Sequence, residues 1–439
     1  MSNEVEVDVR GKGFASRVTL TQAITLLKDK ADPAQLEVVS IREVTQLASR
    51  VLVEPVVALV DVPSFDRSAV DGYAVRAEDT FGASDSNPKL LTIIDSVPVR
   101  TTTSRKLSEG EAIAITTGGV LPKGSTAVVK VEDTNPFQGS TTKVHLFSSL
   151  VPGKNVSGQG EDFRRGQVVF PKGHILRPAD LGVLSAIGAH DVRVAKKPSV
   201  GIFSTGNEVV DDAVDLQVGQ IYDINKYTTS EYAHALGWTV KTYPVVKDDP
   251  HLLEAHLLQA VEENDFVVVS GGSAVGDLDL VPVTVDKLGT MVVHGIHIRP
   301  GSPAGAGVVR GKYVFALPGF PVASIVGMLF FVAPVVMQWL GASSFMYLTT
   351  RATLKNNVAS KLGRRDFLRV RFEDSDEGQR IAVPISVSGS SIMHSITASD
   401  GVVVIDERSE GFKAGTEVLV QLIPYLAKNV PLQGVGSHE

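Results

Sequence analysis

Between Pro198 and Ser270 the sequence alternates apolar strand-length runs with helix-length stretches, and this alternation constrains the fold more than any other feature. Runs at 200–204, 240–246 and 266–270 read as strands, and 226–235 and 250–263 read as helices. Strands separated by helix-length segments predict a parallel sheet with right-handed crossovers. In such a sheet ligands bind beyond the carboxyl ends of the strands.

The chemistry-bearing motifs fall at those ends. Ser204-Thr205-Gly206-Asn207-Glu208 follows the first strand and gathers two hydroxyls, a glycine and a carboxylate. Taken alone, it reads equally well as a tight turn whose hydroxyls satisfy the backbone. The run from Gly271 and Gly272 through Ser273, Ala274 and Gly276 to Asp277 and Asp279 offers glycines for close approach to an anion and acids for a divalent cation. Arg299-Pro300-Gly301-Ser302-Pro303 and Leu317-Pro318-Gly319-Phe320-Pro321 also follow apolar runs. Neither GxGxxG nor GxxxxGKS/T occurs in these loops, which excludes a Rossmann fingerprint or a P-loop there. Any one loop is explained by a turn, whereas their convergence on one βα unit predicts a binding site. Asp249-Pro250 reads as an N-cap followed by Pro at the first helical position, which leaves Asp248 for a ligand or a metal.

The rest of the 439-residue chain carries many turns, with 40 Gly and 22 Pro spread between short apolar runs. Over 17–53 the spacing predicts two helices separated by Ala31-Asp32-Pro33, and 56–194 reads as a β-rich middle with strands at 90–94, 112–116 and 127–131. Asp71-Gly72 alone reads as a hairpin turn. Lys196-Lys197-Pro198 and Gly341-Ala342-Ser343-Ser344 read as boundaries, and β runs up to about 426 predict a small terminal barrel or sandwich. The tail over 428–439 is expected to be disordered.

Composition limits the partners. With 43% hydrophobic and 21% charged residues, whole-chain disorder is excluded, and a net charge of −7 provides no global field for nucleic acid. The absence of cysteine excludes disulfides, Cys-ligated metals and thiol nucleophiles. A charged N-terminus without an apolar core makes cytoplasmic residence the expectation. The apolar segment 322–340 approaches the length of a membrane span, but Pro334 and Gln338 interrupt it and no Lys or Arg lies close beside either end. A buried helix without membrane insertion is therefore expected.

In their order and approximate spacing, SFDRSAVDGYAV, AITTGGVLPKG, VVKVEDT, GEDFRRG, STGNEVV, IYDIN, VVKDDP, SGGSAVGDLDL, IRPGSP and LPGFPVAS resemble the motifs of the molybdopterin molybdenumtransferase family, of the bacterial MoeA type also represented by the E domain of gephyrin. The resemblance implies an elongated, multidomain chain of α/β plus β class. Its parts would be a helix-containing, dimerising domain I at 17–62 and 163–196, an inserted β domain II at 63–162, an α/β molybdopterin-binding domain III at 197–342 and a C-terminal β-barrel domain IV at 343–427. It implies a homodimer whose cleft lies between domain III of one subunit and domain II of the other. It also implies molybdopterin adenylate and molybdate as substrates, with Mg²⁺ supporting formation of molybdenum cofactor and AMP.

The same resemblance assigns residues. Asp71, Thr117, Asp162, Glu208, Asp248 and Asp279 match the family's catalytic positions, and Asp248, Asp277 and Asp279 are the implied Mg²⁺ ligands. Ser204, Thr205, Gly206, Gly271, Gly272, Gly276, Arg299, Pro300, Gly301, Ser302, Arg369 and Ser390 are the implied substrate-binding set. Carboxylates repel phosphate and molybdate, so direct anion contacts are expected from backbone N–H groups, hydroxyls and arginines. Three departures fall on this face: Ser302 in place of the family's usual Lys, Phe320 in place of Asn, and Ser273-Ala274 in place of Val-Ser. They motivate an alternative, a weakened paralogue serving as a dimeric scaffold for a protein partner.

Overall fold

The strand Ser199–Ser204 runs parallel to Thr239–Thr242 on one side and to Phe266–Ser270 on the other, and Phe266–Ser270 runs parallel to Lys312–Leu317. The computed structural model describes residues 17–43, 47–211, 215–271, 279–375, 378–385 and 394–422. Gly305–Val309 pairs antiparallel with Lys312–Leu317, and Thr290–His294 antiparallel with Gly305–Val309, giving six strands in the order Thr239–Thr242, Ser199–Ser204, Phe266–Ser270, Lys312–Leu317, Gly305–Val309, Thr290–His294. The parallel expectation thus holds for the three strands it concerned and extends to Lys312–Leu317, while the last two pairings are antiparallel and only Gly305–Val309 runs against the rest. Arg310-Gly311 is too short a connection for a crossover, so the chain there makes a hairpin.

Helices cover both faces. Leu253, Leu257, Ala260 and Val261 of Pro250–Glu263 pack with Val281 and Val285 of Leu280–Leu288 against Phe203, Val267, Val269 and Val314. Ile202, Phe266, Val268 and Phe315 point the other way, into a larger core shared with the apolar helix. Alternate residues of one strand therefore feed two cores, which is why these strands read as continuous apolar runs. As expected, the Asp249 carboxylate caps Pro250–Glu263, accepting from the amides of His251 and Leu252 at 2.8 and 2.9 Å.

Pro321–Trp339 forms one helix with a π-helical turn at Met328–Val332. Its most apolar window has a mean hydropathy of 2.0 and is 83% buried within the protein. The cover comes from the sheet, from Leu20, Ala23 and Leu27, and from Phe367 of the C-terminal barrel, on which Phe330 stacks with ring centroids 4.4 Å apart. The helix is a core element, and its burial needs no second chain.

Two N-terminal expectations change. Leu20–Leu27 is a helix with a capping box between Thr19 and Gln22, but the second predicted helix is replaced by the strand Leu36–Ser40, paired antiparallel with Asp191–Ala195. β-branched Val38 and Val39 fit that pleat better than a helix, and the predicted helix's 44–46 stretch lies outside the described residues. Asp71-Gly72 is not a hairpin turn: Gly72 opens the inner strand Gly72–Val75, paired on both sides, where a Cβ would stand 1.8 Å from the Val129 carbonyl oxygen. That strand belongs to a six-stranded sheet formed by residues between 72 and 146. The chain leaves for this sheet and returns from it beside itself, with the Val62 amide donating to the Phe163 carbonyl at 2.8 Å.

In the C-terminal region Arg365–Asp374 pairs with both Arg380–Pro384 and Gly401–Ile405, so five strands close into a barrel completed by Thr349–Leu354 and Glu417–Gln421. Ile298–Arg299 runs parallel to the start of Arg365–Asp374, and this short strand joins the α/β unit to the barrel. The tail over 428–439 lies outside the described residues.

Candidate active site

Ser204, Ser270 and Leu317 stand in register across three parallel strands, so the loops that follow them open at one end of the sheet. The Thr205 amide donates to the Ser270 carbonyl at 2.8 Å, and the Gly271 amide to the Leu317 carbonyl at 3.1 Å. Gly271 has a φ of +141°, and a Cβ there would lie 2.3 Å from Thr205 Oγ1, so only glycine lets these two loops cross.

The strand ends and the barrel wall enclose a cleft of about 1150 Å³. The structure brings Ser204, Thr205, Glu208, Gly271, Arg299, Pro300, Gly301, Ser302 and Arg369 together on its walls. Gly206 does not line it; its amide donates a hydrogen bond to the Val246 carbonyl at 3.1 Å. Asp248 does not line the cleft; its carboxylate accepts from the Asn207 amide at 3.1 Å and so steadies the loop bearing Glu208. Gly272, Gly276, Asp277, Ser390 and the Ser273-Ala274 departure lie outside the described residues.

The barrel supplies the cationic wall. Asp366 holds Arg364 through two bonds, at 2.7 and 3.1 Å, and Arg299 lies 3.9 Å from the same carboxylate. Among the described residues Arg369 has no such acid, and its Nε is buried without a hydrogen-bond partner. Burial, and then the like charge of Arg299, depress the Arg369 guanidinium below its usual range. Two mutually repelling cations on one wall, one with a desolvated donor, are suited to an anion.

The acidic positions are dispersed. Asp279 starts the helix Leu280–Leu288 with Oδ1 buried and unpartnered, and burial pushes its carboxyl up to about 6 against the opposing effect of the Val281 amide. A cation beside Asp279 would satisfy that oxygen, so this residue fits a divalent ion. Among the described residues, however, no three His, Asp or Glu side chains gather as a metal site. Asp71, Thr117 and Asp162 do not line the cleft. The Thr117 amide and hydroxyl donate to Asp71 Oδ1 at 2.6 and 3.0 Å, the amide chief in holding that carboxyl below its usual range. Asp162 borders a separate polar hollow with Gln159, Glu161 and Arg164.

Sequence reasoning missed Asp223, Asn225, Tyr222 and Arg364 on the cleft wall. The IYDIN motif was the available signal, since it carries three of them.

Residues 18–188 match the profile of the MoeA N-terminal region (domain I and II), 201–338 that of a probable molybdopterin binding domain, and 351–423 that of the MoeA C-terminal region (domain IV). A putative molybdopterin biosynthesis protein of Methanocaldococcus jannaschii is 37% identical over 391 residues, 87% of this chain and 91% of that protein. The chain belongs to the MoeA family. The molybdopterin molybdenumtransferase of Staphylococcus aureus strain COL is 32% identical to this MoeA-family chain over 371 residues, 84% of this chain and 88% of that enzyme. The crystal structure of the molybdopterin biosynthesis MoeA protein from Pyrococcus horikoshii superposes with a TM-score of 0.77 at 33% identity, covering 93% of this MoeA-family chain and all of that one.

Proposed function

We propose that this chain is a molybdopterin molybdenumtransferase, placing molybdate on adenylylated molybdopterin and releasing AMP to give molybdenum cofactor. The observation that carries this reading is the buried, unpartnered Nε of Arg369 beside Arg299, facing the glycine-rich strand ends across one cleft. That pairing suits an oxyanion on the barrel side and a phosphorylated ligand on the sheet side. Arg299 and Arg369 hold molybdate, while the Thr205 hydroxyl and backbone amides of the Gly301 loop orient the adenylate phosphates, and Ser204, whose hydroxyl donates to Asp223, and Gly271, whose amide donates to Leu317, shape the wall beside them. Glu208, on an exposed loop at the cleft edge, orients the water that takes up the adenylyl group.

Mg²⁺, when bound, supplies charge neutralisation at the phosphates; Asp279, with its orphaned oxygen, is the described residue best suited to hold it, with Asp248 and Asp277 as the remaining proposed ligands. The working form is proposed to be a homodimer in which Asp71, Thr117 and Asp162 of one subunit face the cleft of the other. Their exclusion from the cleft of their own chain supports this arrangement. The four domain segments carry over from the resemblance with the bounds given above, and cytoplasmic residence belongs to the same reading.

The test is calorimetry of the purified full chain with molybdopterin and its adenylate, followed by molybdate-dependent cofactor formation. Binding of either pterin form in the micromolar range together with AMP release is the expected result. Absence of binding at high micromolar ligand sinks the enzyme reading.

A further inference from the structure

Resting on the reading of the cleft as a molybdopterin site, we propose that Asp223 and Asn225 recognise the amino-pyrimidinone edge of the pterin, with Tyr222 and Phe320 offering aromatic faces beside it. Asp223 is 5% and Asn225 7% exposed, and both line the cleft. Asp223 Oδ1 is committed inward, accepting from Ser204 Oγ at 2.9 Å and from the Lys226 amide at 3.1 Å. Its Oδ2 is buried with no partner. The Asn225 Nδ2 donates to the Gly319 carbonyl at 2.8 Å, which fixes the orientation of the amide and leaves Oδ1 buried with no donor. A buried acceptor without a donor is costly, and here two of them stand two residues apart on one cleft wall.

The ligand edge that satisfies them must present adjacent N–H groups. Phosphate and molybdate carry none and are repelled by a carboxylate. Adenine sets its amino group beside an acceptor nitrogen, so it satisfies one oxygen and opposes the other. A pterin presents N3–H next to its 2-amino group, one donor for each orphaned oxygen. The flanking residues agree with a flat heterocycle. Tyr222, 46% exposed, precedes Asp223; Phe320, 58% exposed, follows the glycine whose carbonyl holds Asn225. The Phe320 departure from the family's Asn therefore adds a stacking surface to this edge.

Fluorescence titration of the full-length chain with pterin and with lumazine tests this directly, because lumazine differs by a carbonyl where pterin has the 2-amino donor. The parent is expected to bind pterin more tightly by roughly 10- to 150-fold. Asp223→Asn keeps an acceptor for Ser204 and Lys226 but should lose that discrimination while leaving AMP affinity unchanged. Phe320→Asn should weaken pterin and lumazine equally. Equal binding of the two compounds by the parent overturns the proposal without relying on any variant, as does an Asp223→Asn chain that still discriminates. If such a parent still forms cofactor, only this inference falls. A parent that binds no pterin and forms no cofactor removes the enzyme reading as well.

Discussion

Arg369 carries a buried, unpaired Nε on the same cleft wall as Arg299, while the neighbouring Arg364 is neutralised through two bonds by Asp366. Arg364, just before the strand Arg365–Asp374, and Arg369 within it thus have opposite assignments, one structural and one held for a ligand.

Arg369→Ala should raise the molybdate concentration needed for half-maximal cofactor formation by roughly 10- to 150-fold, the value of one charge-assisted hydrogen bond. Thermal stability should hold or rise, because the substitution removes a desolvated charge whose Nε has no hydrogen-bond partner among the described residues. Arg364→Ala should do the reverse, lowering the melting temperature by stranding Asp366. Steady-state kinetics beside thermal melts of both variants separate these outcomes.

Ser302→Lys should tighten molybdate dependence, since the side chain lines the cleft with Arg299 and Arg369. A molybdate dependence unchanged by this substitution would show that the two arginines and backbone donors suffice, and that the Ser302 departure carries no loss.

Mixing inactive Asp71→Asn and Glu208→Ala chains should restore about a quarter of parental activity if each cleft combines two subunits, because random reassortment leaves one intact cleft in half of the dimers. Mixtures as inactive as the separate variants would remove the shared-cleft arrangement. Light scattering on the parent gives the companion measurement, about twice the chain mass.

Asp180 makes an acid-sensitive lock. Burial alone would raise its carboxyl, but hydrogen bonds from Arg177 and from the His174 ring outweigh it and bring the value down to about 2. With the folded value below the ordinary 3.8, the stabilisation is fully present above pH 4 and is lost as pH falls through about 2. The shift corresponds to about 2 kcal/mol. Hydrogen exchange in Pro178–Ala186 should accelerate over that window in the parent, and Asp180→Asn should abolish the acid dependence while destabilising the helix at neutral pH.

Several elements were legible in the sequence because their causes are local. Asp249 before Pro250 and the spacing of Leu253, Leu257, Ala260 and Val261 determined a cap and a buried face that the structure reproduces. The apolar run at 266–270 became a strand with those same bounds. What remained unreadable depends on partners distant in sequence. Gly72 looked like a turn because the Val129 carbonyl that crowds it is 57 residues away. Leu36–Ser40 was overlooked because its partner is Asp191–Ala195. Within the cleft, Ser204, Thr205, Arg299 and Arg369 follow from motifs; IYDIN points to Asp223 and Asn225 as well, but the orphaned oxygens that give them a role are visible only in the fold.

The pairing of Ile298–Arg299 with Arg365 and Asp366 bears on how the cleft can admit its ligands. The cationic wall is stitched from two units through backbone hydrogen bonds, and Phe330 on Phe367 pins the same junction from beneath. Swinging the barrel outward would have to unzip that seam and unstack those rings. The barrel therefore behaves as a fixed jaw of the cleft. Excising the barrel would remove an anion wall and uncover an aromatic ring of the α/β core in one stroke.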